Sequence, residues 1–414
     1  MALHVLPAAV RSLGPAVLIG GLCGAMSAAF LTLLDWATQF RESHHDMVWA
    51  LPVAGLFLGW LWHRYAGRAG QGSNLILNSF HEDTSAPISL RMAPMVLLGT
   101  IVTHLFGGSA GREGTAVQMG AAVADQIANR WEASVAVRQH LLVAGVAGGF
   151  ASVFGTPLAG ALFAMEWLVV GKIRFRFAST ALVAALVGDA VTDRLGIVHT
   201  PFPSVSIELL NSHLWIALGG LALATAVVAI TFIALTHAIK ARLKQFVPVA
   251  ALRPLVGGLI VVILWQLTGT DLYLGLGVPT IERAFLTPAL PLQVFALKLV
   301  FTSITVGSGF PGGEVTPLFF IGAALGSALA PLLGIPADLA AGVGLVAMFG
   351  AAANTPLALA VMAGELMGWQ VVPPALVVCL LATQFTGRRS IYTAQRMTRG
   401  KWGQKLAEPE KVGP

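Results

Sequence analysis

Long apolar runs alternate with short polar breaks along nearly the whole chain. The runs Leu13–Leu34, Leu214–Thr236 and Leu339–Ala363 are each long enough to cross the hydrocarbon core of a bilayer as a helix. Shorter runs at Val48–Trp62, Phe177–Val191 and Leu255–Leu267 predict tilted, broken or partly inserted helices. Two of the breaks are rich in glycine and carry a carboxylate. One reads Gly107-Gly108-Ser109-Ala110-Gly111-Arg112-Glu113-Gly114-Thr115, the other Gly307-Ser308-Gly309-Phe310-Pro311-Gly312-Gly313-Glu314-Val315-Thr316-Pro317. A carboxylate at membrane depth is costly, and by default it marks an ion or proton path. Glu113 and Glu314 are therefore the first candidate site residues.

Composition sets the class. Of 414 residues, 56% are hydrophobic and only 11% charged, against roughly 25% charged in soluble chains. The reading is an all-α polytopic membrane protein. With Gly at 46 and Pro at 22, the helices are expected to pack closely and to be interrupted. No cleavable leader is expected, because the first run is followed by Asp35 and further spans. Cys23 and Cys379 both lie in apolar runs and read as core residues. The ten histidines show no paired ligand spacing, so neither a metal site nor a cofactor is expected.

The net charge of +6 reflects topology and not nucleic acid. Basic residues cluster at Lys172, Arg174 and Arg176, at Lys240, Arg242, Lys244 and Arg253, and from Arg388 to Lys405. By the positive-inside rule these loops are cytoplasmic. The stretches Asp35–Asp46 and Asp193–Glu208 lean acidic and read as external. Lys298 stands in an apolar run and is expected to snorkel toward the interface.

The chain also repeats itself. Phe154-Gly155-Thr156-Pro157-Leu158-Ala159 is echoed by Ala353-Asn354-Thr355-Pro356-Leu357-Ala358, and Glu166 by Glu365. Glu314 follows Glu113 by 201 residues, while Pro356 and Glu365 each follow their counterparts by 199. Two repeats follow: residues 13–200 and 214–390, joined by an external linker at 201–213 and flanked by cytoplasmic segments at 1–12 and 391–414. The first repeat's opening span runs toward the acidic loop, the second's toward the basic one, so the repeats are inverted. Inverted repeats with broken helices place a substrate site near the midplane. Helix N-termini there carry free N–H groups and partial positive charge, which favours an anion.

These motifs resemble the CLC family of anion channels and exchangers. Gly111-Arg112-Glu113-Gly114 is similar to its G-R-E-G motif, Phe154–Glu166 to its F-N-A-P-L-A-G segment, and Gly312–Pro317 stands where the family has G-G-I-F-A-P. The likeness runs from about Leu13 to Tyr392. It implies a CLC-type fold and a homodimer with one anion path per subunit. The regulatory nucleotide-binding pair of some relatives is not expected.

Departures from the family pattern point further. Glu314 and Thr316 replace apolar residues, the usual serine motif gives way to Gly70-Gln71-Gly72-Ser73-Asn74, and Trp167 stands where exchangers carry an internal glutamate. This set resembles the fluoride-exporting branch, which exchanges fluoride for protons in bacteria and protects them from fluoride. By that resemblance Glu113 is the gating glutamate, Glu314, Val315 and Thr316 line the path, and Asn74 is the polar pore residue. Ser73 remains the alternative to Asn74, and Tyr392 takes the inner-gate role. The implied partners are fluoride, protons, a second subunit and the lipid bilayer, and the implied location is the bacterial inner membrane.

The residues allow blander roles as well. Glu113 can pair with Arg112, Glu314 and Thr316 can cap a helix, and Tyr392 can anchor at the interface. Glu166 and Glu365 look like structural anchors at helix ends. Chloride/proton exchange or a passive anion channel on the same fold is the nearest rival. An intramembrane hydrolase is disfavoured, since no nucleophile, paired-aspartate or zinc motif appears, and the chain does not read as an enzyme.

Overall fold

A computed structural model describes residues 7–81, 86–205, 212–286, 290–399 and 405–413. Residues 1–6 of the expected N-terminal segment and 206–211 of the expected linker lie outside them. After a short α1 (Ala8–Arg11), eight helices follow: α2 (Leu13–Ser43), α3 (Leu51–Tyr65), α4 (Ser73–His81), α5 (Met92–Leu105), α6 (Glu113–Arg130), α7 (Val135–Phe154), α8 (Pro157–Glu166) and α9 (Ala178–Arg194). Eight more repeat the order: α10 (Ser212–Phe246), α11 (Arg253–Thr268), α12 (Val278–Leu286), α13 (Leu292–Ser308), α14 (Val315–Leu333), α15 (Ala337–Ala353), α16 (Pro356–Met367) and α17 (Val372–Phe385). Corresponding helices match in length: 31 and 35 residues for α2 and α10, 9 each for α4 and α12, 18 and 19 for α6 and α14.

Packing repeats as well. Helix α6 lies on α7 as α14 lies on α15, and α2 lies on α9 as α10 lies on α17. Two close crossings use glycine in both partners. A Cβ on Gly120 would stand 2.2 Å from the Gly145 carbonyl, and one on Gly322 would stand 2.1 Å from that of Gly344. Only glycine lets the backbones of α6/α7 and α14/α15 approach so closely, the usual device for helix pairs in a membrane.

The repeats also clasp each other reciprocally. Glu166, ending α8, accepts from the N–H groups of Leu357 (3.2 Å) and Ala358 (2.8 Å) at the start of α16. Glu365, near the end of α16, accepts from Leu158 (2.9 Å) and Ala159 (2.8 Å) at the start of α8. Each carboxylate satisfies the orphan donors of a helix N-terminus and complements its dipole. This is the anchoring role read from their symmetric positions.

Among the described residues, six helices are long and apolar enough to cross a membrane: Leu13–Ser43, Val135–Phe154, Phe175–Arg194, Ser212–Phe246, Ala250–Thr268 and Val315–Leu333. One expected span is corrected. The run Leu339–Ala363 is two helices, α15 and α16, because Asn354 turns left-handed (φ 57°) and Pro356 restarts the chain in a new direction. Lys298 is corrected too. Its side chain is fully buried and donates to the carbonyls of Tyr273 (3.2 Å) and Gly275 (2.7 Å), so it does not reach an interface.

The fold is nearly all helix, with one small exception near the C-terminus. Val169–Val170 pairs in parallel with Arg396–Arg399, which pairs antiparallel with Lys405–Lys411. Buried Gln395 ties this tail to the core. Its amide nitrogen donates to the carbonyls of Trp167 (2.9 Å) and Ala353 (2.8 Å).

Candidate functional site

The two glycine-rich breaks meet. Gly111 N–H donates to Gly313 O at 2.5 Å, and Gly313 N–H to Gly111 O at 2.7 Å, an antiparallel bridge on the pseudo-twofold between the repeats. Helices α6 and α14 start from this bridge. Their first residues are wedged together: a Cβ on Gly114 would come 3.3 Å from the Gly313 Cα.

Glu113 is fully buried and reaches across the bridge into the other repeat. Its Oε2 accepts from the Thr316 N–H at 3.2 Å and from the Arg112 N–H at 3.1 Å. The Thr316 hydroxyl donates to its Oε1. The Arg112 guanidinium Nε stands 3.5 Å from Oε1, so the ion pair considered from sequence exists but is one contact among several. The carboxylate thus lies in the donor-rich mouth of α14, the place an anion would take. Thr316 serves that mouth with both its N–H and its hydroxyl.

Glu314 does not mirror this arrangement. It stands at the N-cap position of α14, yet its side chain makes no capping hydrogen bond to the helix. Instead it faces the buried Tyr392, whose hydroxyl donates to the carboxylate. Tyr392 is therefore inside the protein and not an interfacial anchor. Glu314 and Tyr392 also open onto a cavity of about 610 Å³ lined by His63, His237, Lys240, Lys244 and Arg253. Those basic groups come mainly from the segments read as cytoplasmic.

A second cavity, of about 780 Å³, shares no lining residue with the first. Arg112, Arg41 and His199 line it together with Asp35, Glu42 and Asp271. A small void of about 10 Å³, walled by Glu113, Gly114, Val315, Ser73, Tyr392 and aromatic rings, shares Ser73 and Tyr392 with the basic cavity. Its volume is about the space one water-sized body needs.

The pair Ser73 and Asn74 separates here. Ser73 borders both the small void and the basic cavity, and its hydroxyl accepts from the Gln118 amide at 3.5 Å. Asn74 borders only the basic cavity, with its Oδ1 engaged by the Ala394 N–H at 2.9 Å. Of the residues singled out in the sequence, Glu113, Gly114, Ser73, Val315 and Tyr392 surround the void. Glu314, Thr316, Gly111 and Arg112 build its frame, and Asn74 is turned toward the tail. Sequence reasoning passed over the aromatic lining of Phe150 and Phe163, and saw Trp167 only as a departure, because apolar residues in apolar helices carry no local signal.

Comparison with known proteins agrees with this architecture. The family model described as voltage gated chloride channel matches residues 54–387. A chloride/fluoride channel protein of Pseudomonas syringae pv. tomato is 44% identical over 98% of this chain and 91% of its own length. The crystal structure of a CLC-type fluoride/proton antiporter superposes with a TM-score of 0.90 at 36% identity, covering 94% of this chain and 98% of that one. A slow cyanobacterial Cl-/H+ antiporter shares the fold, with a TM-score of 0.80 at 22% identity over 94% and 97% of the two chains.

Proposed function

The chain belongs to the voltage gated chloride channel family, and we propose that it exports fluoride in exchange for protons. The observation that carries this reading is the pair of unequal carboxylates at the two glycine-rich breaks, of which only Glu113 borders the small void. Glu113 lies in the anion position at the mouth of α14, and Glu314 lies on the Tyr392 side, open to the basic cavity.

On this reading the basic cavity gathers cytoplasmic fluoride by its positive field. The ion passes Tyr392 and Ser73 into the void, where it competes with the Glu113 carboxylate for the N–H and hydroxyl of Thr316. A proton arriving from the outer cavity neutralises Glu113 and weakens its hold on those donors. The carboxylic acid then withdraws and fluoride leaves. Glu314 takes up the proton's inward route, because Trp167 occupies the position where a transfer glutamate would otherwise stand. An anion in the void beside an ionised Glu113, with Glu314 ionised nearby, meets repulsion from both, so protonation of a carboxylate accompanies filling of the void.

The small size of the void supports fluoride over chloride. Fluoride holds its water tightly, and a selective site must replace that shell with fixed donors; Thr316, backbone N–H groups and Ser73 are at hand. By resemblance the working unit is a homodimer with one path per subunit, in the bacterial inner membrane with the basic cavity facing the cytoplasm. The test is efflux from proteoliposomes recorded with a fluoride electrode, a chloride electrode and a pH electrode together. Proton uptake in fixed proportion to fluoride release is expected, with chloride moving far more slowly. Equal fluoride and chloride flux favours the chloride-exchanger alternative, and anion flux without protons favours a channel.

A further inference from the structure

Gln395 is fully buried, and its carboxamide is engaged on every side. The amide nitrogen donates to Trp167 O at 2.9 Å and to Ala353 O at 2.8 Å. The amide oxygen accepts from the Ser390 hydroxyl at 2.7 Å and from Asn354 Nδ2 at 3.2 Å. A primary amide has two donors and two acceptor lone pairs, so the group is saturated. Its orientation is fixed too, because a flipped amide would set its oxygen against two carbonyls.

These partners come from both repeats. Trp167 is the C-cap residue of α8 in the first, while Ala353 and Asn354 close α15 in the second. Carbonyls at a helix end have no partner within the helix, and Gln395 supplies one to each. The Gly111–Gly313 bridge joins the repeats beside Glu113. Gln395 joins them on the Tyr392 side.

The same residue holds Tyr392. The Gln395 N–H donates to Tyr392 O at 3.0 Å. The Tyr392 N–H donates at 3.0 Å to the Ser390 hydroxyl, which is itself bound to the Gln395 amide. Both backbone polar groups of Tyr392 are thus tied within the loop 390–395. Its ring meets Trp167 edge to face (centroids 5.3 Å apart, planes at 83°), and the Trp167 carbonyl is one that Gln395 holds. Behind the loop, Gln395 O accepts from the Val412 N–H at 3.1 Å, so the C-terminal stretch backs it. The Tyr392 hydroxyl is left to reach Glu314.

We infer that Gln395 is the positioning residue of the inner gate, holding Tyr392 against both repeats so that its hydroxyl stays on Glu314. The inference rests on the proton-coupled transport reading above and extends it to a residue outside both glycine-rich breaks. Gln395 lines none of the three cavities, so it acts through Tyr392 and not on the ion. A hydrogen bond weakens steeply as its angle and distance depart from the optimum, so a small shift of the loop loses the contact to Glu314. A saturated buried amide network fixes one arrangement and prevents that shift.

The test uses the full chain. Gln395→Glu is nearly isosteric but sets an oxygen against the carbonyls of Trp167 and Ala353. Ser390→Ala is milder, since it keeps both of those bonds and removes only the hydroxyl linking Gln395 to the Tyr392 N–H. Proton and fluoride movements are recorded together in liposomes. In detergent, tyrosine rings are labelled with ¹³C; the chain has three, and Tyr392→Phe identifies the Tyr392 signal. Glu314→Ala gives the position of that signal when the hydroxyl has lost its acceptor. Losing a hydrogen bond to a charged group lowers the docked population roughly tenfold or more. In both variants the Tyr392 signal should therefore move to its Glu314→Ala position. The proton-to-fluoride ratio should fall to that of Glu314→Ala while fluoride efflux continues.

A purely structural role would lower the midpoint of thermal unfolding and move neither readout. Folded variants with the wild-type ratio and the wild-type Tyr392 signal overturn the inference. If Gln395→Glu does not fold, Ser390→Ala decides alone. Wild-type protein that moves no fluoride in liposomes would defeat the transport reading instead, while the tyrosine spectra still report whether Gln395 holds Tyr392 on Glu314.

Discussion

Substituting Glu113 by Gln tests the gate at its chemical centre. In the structure the carboxylate accepts three hydrogen bonds, from the Arg112 N–H at 3.1 Å, the Thr316 N–H at 3.2 Å and the Thr316 hydroxyl. Glutamine preserves the shape. Its carbonyl oxygen can accept from the two N–H groups, and its amide nitrogen can face the Thr316 oxygen, which reverses its role to accept. What disappears is the charge. A hydrogen bond to an ionised group contributes about 1.5–3 kcal/mol, against about 1 kcal/mol for a neutral one. Three bonds each weakened by about 1 kcal/mol lower the docking of the side chain by about 3 kcal/mol, or roughly a hundredfold in the closed population. The variant also has no proton to give or take. In liposomes loaded with fluoride and followed by fluoride and pH electrodes together, the wild type should take up protons in fixed ratio to fluoride lost. Glu113→Gln should release fluoride with proton movement reduced to the leak. A variant that still moves protons with fluoride in the wild-type ratio would refute both the gate and its energetics.

Other substitutions probe the supporting parts. Glu314→Ala, which removes the acceptor for the Tyr392 hydroxyl, should leave fluoride passage but lower the proton-to-fluoride ratio in the same two-electrode assay; an unchanged ratio would take Glu314 off the proton route. Ser73→Ala should alter the fluoride-to-chloride flux ratio more than Asn74→Ala does, because only Ser73 borders the void while the Asn74 amide holds Ala394; the opposite ranking would reverse that assignment. Glu166→Ala leaves two helix N–H groups unpaired at about 1–3 kcal/mol each, and the midpoint of thermal unfolding in detergent should fall accordingly. Glu365→Ala should cost less, since its partner Leu158 is 42% exposed and water can replace the carboxylate; equal shifts would count against the cross-capping argument.

Much of this site was legible because its parts break an apolar pattern locally. Glycine clusters, a carboxylate and a proline restart can each be read in a few residues, and their recurrence revealed the duplication. What depended on distant contacts was not legible. Ser73 and Asn74 are neighbours on the first turn of α4, so their side chains point about 100° apart and only the tertiary fold decides which meets the void. Lys298 in an apolar run suggested an interfacial lysine, yet α13 packs beside a turn at Tyr273–Gly275 whose carbonyls satisfy the ammonium internally. The apolar stretch Leu339–Ala363 hid its break at Asn354, because asparagine and threonine hardly lower its mean hydropathy. Trp167 registered only as a missing glutamate, since its contact with Tyr392 cannot be recognised until its surroundings are known.

The deepest question is why a symmetric pattern yields an asymmetric site. Both breaks present glutamate followed two residues later by threonine, Glu113 with Thr115 and Glu314 with Thr316, each at the start of an inward helix. A twofold device would have each glutamate reach the other repeat's threonine. The structure permits only one crossing. The Thr115 hydroxyl is taken, paired at 2.6 Å with that of Thr100 on the neighbouring α5, and both are buried. The hydroxyl of Thr316 has no such claim on it and receives Glu113. Glu314, with the Thr115 hydroxyl already taken, turns to the Tyr392 hydroxyl, which lies outside both breaks near the C-terminus. One occupied hydroxyl and one tyrosine beyond the repeats therefore divide equivalent positions into a carboxylate in the anion path and a carboxylate beside it. Proton coupling needs that inequality, because two identical gates would compete for the same anion position and neither would lead the proton onward.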